Sequence, residues 1–417
     1  MSPSTGNFHD QAKKVNPTLL FDLDDTLLGN NMDMFLPAYL RALSACMASY
    51  SDPGGLIKTL MDASGKMIAN LRPDRTLEEV FDAGFYPPLG IDKEQVRGIL
   101  ETFYRVEFPK LRSLTQYKPE AVELVKASLS RGYRVAIATN SLFPSTAITQ
   151  RLSWAGLSPD QYPMALIPSF QTFHYAKPNP AYFSELMAKM AWPEGPVVMA
   201  GDSFSNDINP ARQAGLSTFW VDSPDGSLPE DQFIPNGRGS LLEFLPWLDS
   251  IDPDTLLPDF TTISAVLATL RSTPAFLHSI SADLTPEEWL YRPAVGEWSV
   301  LEILCHLADM DAEVNLPRRR KVLNETNPFV AGLDTDAWAV ARQYIRRDPK
   351  QSLRNFVSAR LELIAFLEGL SPVDWQRQAR HAIFGPTSLH EMAIFAAGHD
   401  RLHVRQIHQT ISTYEPV

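Results

Sequence analysis

Five short runs of this chain are apolar almost without interruption: "TLLFD" from Thr18, "YRVAIAT" from Tyr133, "MALIP" from Met164, "PVVMAG" from Pro196 and "STFWV" from Ser217. A strand with one face in water alternates apolar and polar residues, so runs of this kind are expected where both faces of a sheet are covered. Helical patterns separate the runs, the rhythm of an α/β fold with a mainly parallel sheet. In "KPEAVELVKASLSRG", for example, Pro119 suits a first helical position, and Ala121, Val122, Val125 and Leu129 share one stripe.

The first run ends in three carboxylates within four positions, Asp22, Asp24 and Asp25. Like charges that close repel, so their placement needs a reason. In a parallel sheet, ligands bind outside the carboxyl ends of strands. The other strand ends supply Thr139, Asn140 and Ser141, then Asp202 followed by Asp207, and Lys177 lies between them in "YAKPNPAYF". An acidic cluster suits a hard cation, a hydroxyl and an amide suit an oxyanion, and a lysine adds one point charge. Mg²⁺ takes a few carboxylate oxygens and exchanges its waters for phosphate oxygens. The inventory is that of phosphoryl transfer.

Asp22-Leu23-Asp24-Asp25-Thr26, then Thr139, Lys177 and Gly201-Asp202 with Asp207 resemble the four ordered motifs of the haloacid dehalogenase (HAD) superfamily. The resemblance implies a Rossmann-like core with Asp22 as nucleophile, forming an aspartyl-phosphate, and Asp24 as general acid and then base. It implies Thr139 and Asn140 on the phosphoryl group, and Lys177 neutralising charge and orienting Asp22. Mg²⁺ would be held by Asp22, the Asp24 main-chain carbonyl and Asp202, with Asp207 on a bound water or on Lys177. The second carboxylate, Asp24, favours phosphate esters over carbon–halogen bonds. Asp25 has no implied role beyond exposure or local capping.

Between the first and second motifs the α/β rhythm breaks into helical material such as "FLPAYLRALSACMASY" and "KEQVRGILETFYRVEF". An inserted cap over residues 31–114, of the family's C1 type, is expected. Such a cap closes over the site and points to a small phosphorylated metabolite, such as a sugar phosphate, a nucleotide or phosphoglycolate. Asn30, Asn31, Phe35 and Tyr39 are candidates to line its pocket.

With 417 residues the chain exceeds what one core usually serves. The expected division is a hydrolase domain over 1–250, a Pro/Asp-rich linker over 251–258 and a helical domain over 259–417. Four long amphipathic patterns follow the linker, about Thr261 to Ile280, Ser299 to Asn324, Asp348 to Leu370 and Thr387 to Ser412, and β-type runs cease. A four-helix bundle is expected. Only His9 and His174 precede residue 250, while seven histidines follow it.

In "TSLHEMAIFAAGHDRLHVRQIHQ" the stripe Leu389, Met392, Ala396, His399, His403 and Gln406 puts two imidazoles one helical turn apart, facing inward. His306 lies on a second inward stripe with Ile303, Leu307 and Met310. Inward imidazoles without partners would cost about 1 to 3 kcal/mol each, and a shared metal removes that cost. "EWS", then His306, then "HDRLH" resemble the DinB-like four-helix bundle superfamily, in which the trio would bind Zn²⁺, Ni²⁺ or Fe²⁺. The bundle would then be a thiol-dependent transferase or isomerase, or a non-catalytic scaffold or sensor for the phosphatase. His390 and Cys305 point away from that stripe.

A net charge of -12 argues against a general nucleic-acid binder. The basic cluster "PRRRK" from Pro317, with Arg346 and Arg347, reads as solvated helix surface. No run approaches the ~18 apolar residues of a membrane span. The opening stretch shows no leader pattern, and the two cysteines are far apart in sequence. A cytoplasmic location is therefore expected, and a homodimer is left open.

Overall fold

The computed structural model describes residues 15–221, 233–335 and 337–415; His9 lies outside them. Five strands form one parallel sheet in the order β4-β1-β5-β6-β7: β1 (Thr18–Phe21), β4 (Arg134–Ile137), β5 (Val197–Gly201), β6 (Ser217–Val221) and β7 (Gly237–Gly239). Lying between β4 and β5, β1 pairs Phe21 with Ile137 on one side and with Ala200 on the other, so the first, second and fourth motifs leave the sheet at the same level. β1 and β5 are buried at every position, as doubly covered strands should be.

"MALIP" does not become a strand, although Ala165 and Leu166 exchange backbone hydrogen bonds with β4, Ala165 N to Val135 O at 2.7 Å and Ile137 N to Leu166 O at 2.9 Å. Pro163 and Pro168 bracket it, each without an N–H for a ladder.

The inserted material is helical: Met32–Cys46, Pro53–Ile68, Leu77–Leu89 and Lys93–Thr102, then π and 3₁₀ turns to Leu114. Its starts are capped as sequence chemistry dictates, by Asn31, Asp52, a Thr76/Glu79 capping box and Asp92. Both of its ends pass through one antiparallel ribbon, β2 (Leu28–Asn30) against β3 (Thr115–Tyr117).

The second half is built on Ile263–Ser281, Val300–Asp309, Pro349–Glu368 and Leu389–Ser412. Val300–Asp309 runs on through a π turn, Met310–Asn315, into Leu316–Asn324. Strands do occur here, contrary to expectation: Gln378–His381 pairs with Gly385–Ser388 and with Phe329–Val330 in a small three-stranded sheet. Only Gln378–His381 buries alternate residues, and pieces of two to four residues are too short to stand out as periodic.

The two halves share one core. Every residue from Ala181 to Ala188 in the helix Pro180–Lys189 is buried, because the sheet covers one side and Ile263–Ser281 the other. Polar groups bind the same seam: Tyr175 Oη donates to Arg271 O at 3.1 Å, Lys189 Nζ to Ser279 Oγ at 2.6 Å, and His408 Nε2 to Ala188 O at 2.8 Å. His174 bridges Glu185 (2.8 Å) and His278 (2.9 Å). The Pro/Asp-rich stretch is pinned as well, with Leu256 buried and Asp259 N donating to Gly215 O at 2.8 Å.

Two candidate metal centres

The first centre sits where β1 and β5 end. Asp22, Asp202 and Asp207 each bring a carboxylate oxygen within 4.8 Å of the others. Lys177 Nζ, buried, donates to Asp22 at 2.9 Å and also pairs with Asp207. Its cis peptide to Pro178 carries the chain into the buried helix Pro180–Lys189. Thr26 Oγ1 accepts from Asp202 N at 3.0 Å and donates to its carboxylate at 3.1 Å, and Trp220 Nε1 donates to Asp202 O at 2.7 Å. Gly201 leaves room for this: a Cβ there would run into the Asp207 carboxylate, with Cγ at 2.6 Å.

Burial alone would lower the Lys177 ammonium, and the carboxylates of Asp207 and Asp22 more than reverse it. Burial and the neighbouring Asp22 push Asp202 up to about 6, and burial pushes Asp207 up as well, against the pull of Lys177. Three crowded carboxylates with one lysine are thus short of positive charge. Oxygen donors in that state fit a hard divalent cation such as Mg²⁺.

Thr139 is buried at the end of the segment after β4, and Tyr182 Oη donates to its carbonyl at 2.6 Å. Asn140 turns its amide toward the lysine loop, accepting from Lys177 N at 3.2 Å. Asp25, with φ +58°, closes a turn by accepting from Asn30 N at 2.7 Å. Of the pocket candidates, Asn31 caps a helix, Asn30 donates to Asp24 at 2.9 Å, Phe35 is buried and Tyr39 lines a cavity.

Sequence reasoning missed Arg151. It is buried in the helix Ser145–Trp154, pairs with Asp24 and lies 5.5 Å and 5.4 Å from the ring centres of Phe35 and Phe143. Burial holds its guanidinium down to about 10. No local pattern flags it, because the contact joins segments far apart in the sequence.

The second centre is the histidine trio. His399 Nε2 lies 3.1 Å from Nε2 of both His306 and His403, and the three rings converge. His403 Nδ1 donates to Gln406 Oε1 at 2.9 Å, which leaves Nε2 as the lone-pair nitrogen. Trp298 stacks on His403. Burial, with the other two imidazoles, holds His306 down to about 3, and burial holds His399 down to about 4. Neutral imidazoles with converging Nε2 atoms fit a borderline-soft transition ion. His390 instead bonds Thr261 O at 2.7 Å, and Cys305 packs on Ser352.

The basic cluster is not a free basic face. Arg319 is buried against Asn315 and Met392, Arg320 pairs with Glu362, and Arg347 pairs with Asp309.

A doubly wound parallel core with acidic strand ends, joined to a bundle with a histidine trio, defines a hydrolase fused to a helical metal-site domain. Residues 17–215 match the family of haloacid dehalogenase-like hydrolases and residues 269–407 the DinB superfamily, so the chain is a fusion of members of the two. A Bacillus licheniformis protein named as a candidate metal-dependent hydrolase is 27% identical over 128 residues, 31% of this chain and 70% of that protein. A 2-haloacid dehalogenase structure from Pseudomonas syringae covers 56% of this chain and 98% of its own, with 20% identity and a TM-score of 0.42. The Bacillus subtilis protein YfiT, described as a candidate metal-dependent hydrolase with an unusual four-helix bundle topology, covers 46% and 92%, with 18% identity and a TM-score of 0.33. Among the described residues no helix is long and apolar enough to cross a membrane.

Proposed function

We propose that the first half is a Mg²⁺-dependent phosphatase acting on a small phosphorylated metabolite. The observation that carries this reading is the buried group Asp22, Asp202 and Asp207 bridged by Lys177. An Asp22 oxygen attacks phosphorus, the bond to the alcohol oxygen breaks, and protonated Asp24 delivers its proton to that oxygen. Asp24 then takes a proton from water, whose oxygen attacks phosphorus and displaces Asp22, releasing inorganic phosphate.

Lys177 holds Asp22 in place and, with Thr139, meets the charge on the phosphoryl oxygens. Asn140 fixes the lysine loop through the Lys177 backbone. Asp22, Asp202 and the Asp24 carbonyl would hold Mg²⁺, which when bound offsets charge on the phosphoryl group. Asp207 serves Lys177. Two unpaired cysteines, Cys46 and Cys305, suit a reducing, cytoplasmic setting.

The test is phosphate release from a panel of phosphate esters, with Mg²⁺ and with chelator, for wild type and Asp22→Asn. Release that needs Mg²⁺ and vanishes in the variant is expected. Undiminished release by Asp22→Asn would sink the mechanism.

For the second half, we infer that His306, His399 and His403 bind one divalent transition ion, Zn²⁺, Ni²⁺ or Fe²⁺. The Gln406 bond that aims His403 Nε2 at the other two supports this reading. Three protein ligands leave a position for water or substrate.

A further inference from the structure

A cavity of about 910 Å³ lies between the inserted helices and two core segments, Leu142 to Gln150 and Phe170 with Gln171, at the upper end of the roughly 300–1,000 Å³ typical of organic-ligand pockets. Its wall is chiefly apolar and ring-bearing, with Met32, Leu36, Leu43, Phe81, Phe85 and Phe143 among its residues. Tyr39 and Tyr104 also line it, but their hydroxyls bond each other at 3.0 Å and so offer it mainly their rings. Of the charged residues that line it, Lys93 holds Glu78 at 3.0 Å and Asp82 at 2.6 Å and Arg97 pairs with Glu94, while Glu101 and Arg105 stand outside these pairs.

This cavity connects with the first centre by two routes, one of hydrogen bonds and one along the chain. Asn30, which donates to Asp24, also contacts Met32 Sδ in the cavity wall. Leu142 and Phe143 follow directly on Thr139, Asn140 and Ser141. Asn30 thus stands between the Asp24 carboxylate, assigned to protonate the leaving alcohol, and the Met32 wall of the space. Gln150 lines it too. Its Nε2 donates to Tyr104 O at 2.6 Å, while its buried Oε1 has no hydrogen-bond partner, an acceptor left for a ligand.

We propose that the alcohol part of the substrate is a bulky apolar body carrying a ring, not a sugar or a short hydroxy acid. This inference rests on the phosphatase reading and narrows it. A sugar or phosphoglycolate would set several hydroxyl or carboxylate groups against a wall that is mostly apolar, with few polar groups such as Gln150 to meet them, and a desolvated polar group without a partner is penalised.

The experiment compares kcat/KM for primary-alcohol esters of similar leaving-group basicity: ethyl phosphate, glycerol 1-phosphate, 2-phenylethyl phosphate and 2-(2-naphthyl)ethyl phosphate. Each is run with the wild type and with Met61→Glu/Ile68→Glu, two wall positions 46% and 41% exposed that a charge should not unfold. The ring-bearing esters should exceed ethyl and glycerol phosphate by about tenfold or more, and the double variant should erase most of that margin. Equal turnover of all four, or a preference for glycerol phosphate, would overturn the inference while leaving the phosphatase intact. If no ester is cleaved, the phosphatase reading fails instead, and calorimetry with 2-(2-naphthyl)ethanol decides the cavity. Binding weakened about tenfold in the double variant supports an apolar ligand site, and absence of binding removes it.

Discussion

Arg151 shows what a single side chain can do without leaving a trace in the sequence. It sits by two aromatic rings and pairs with the Asp24 carboxylate, which also accepts from Asn30. Arg151→Met should keep the rings packed but loosen Asp24, so kcat should fall about tenfold to a hundredfold while the Mg²⁺ concentration for half-activity stays put. A steady-state Mg²⁺ titration of both forms checks this; a lost Mg²⁺ response with unchanged kcat would contradict it. Gly201→Ala acts on the neighbouring carboxylate, since the added methyl displaces Asp207 from Lys177. Activity should fall about tenfold or more at saturating Mg²⁺, and wild-type rates in that variant would show that Asp207 has room to give. Asp22, Asp24 and Asp202 could be singled out because carboxylates at or just past an apolar run have few structural uses, whereas Lys177 and Asp207 stood out through their place in the ordered motifs. Arg151 was not legible, because its partner is set by tertiary packing.

Elements divide in the same way. Strands covered on both faces and long helices announce themselves through composition and period, which is why β1, β4, β5 and β6 and the four long helices of the second half could be expected. The hairpin Gln378–His381 with Gly385–Ser388 could not, since one strand alternates over only four residues and the other does not alternate. The long helix Leu389–Ser412 makes a sharp statement of its own, because one turn places His399 and His403 on the same stripe. Elemental analysis after metal-supplemented expression should find about one transition ion per wild-type chain and close to none in His399→Ala. Full metal content in that variant would move the site elsewhere.

At the scale of the molecule, the seam between the halves responds to acid. Burial holds the imidazoles of His278 and His408 below the ordinary histidine value, so the unfolded chain takes up protons that the folded chain does not. The associated stability is complete above about pH 6.5 and is lost as pH falls below it. His306 and His399 add to the same trend in metal-free protein. The thermal midpoint should therefore drop between about pH 7.5 and pH 5, and His408→Gln, which can still donate to Ala188 O, should flatten the drop. An unchanged slope in that variant would exclude His408 as a contributor.

The helix Pro180–Lys189 also sets a timetable for synthesis. It leaves the ribosome well before Ile263–Ser281, the helix that covers its outer side. At roughly 5–20 residues per second the apolar flank around Phe183 and Met187 stays bare for several seconds. A nascent chain in that state is a natural client for a chaperone. An expression vector that stops at residue 250 would make the wait permanent.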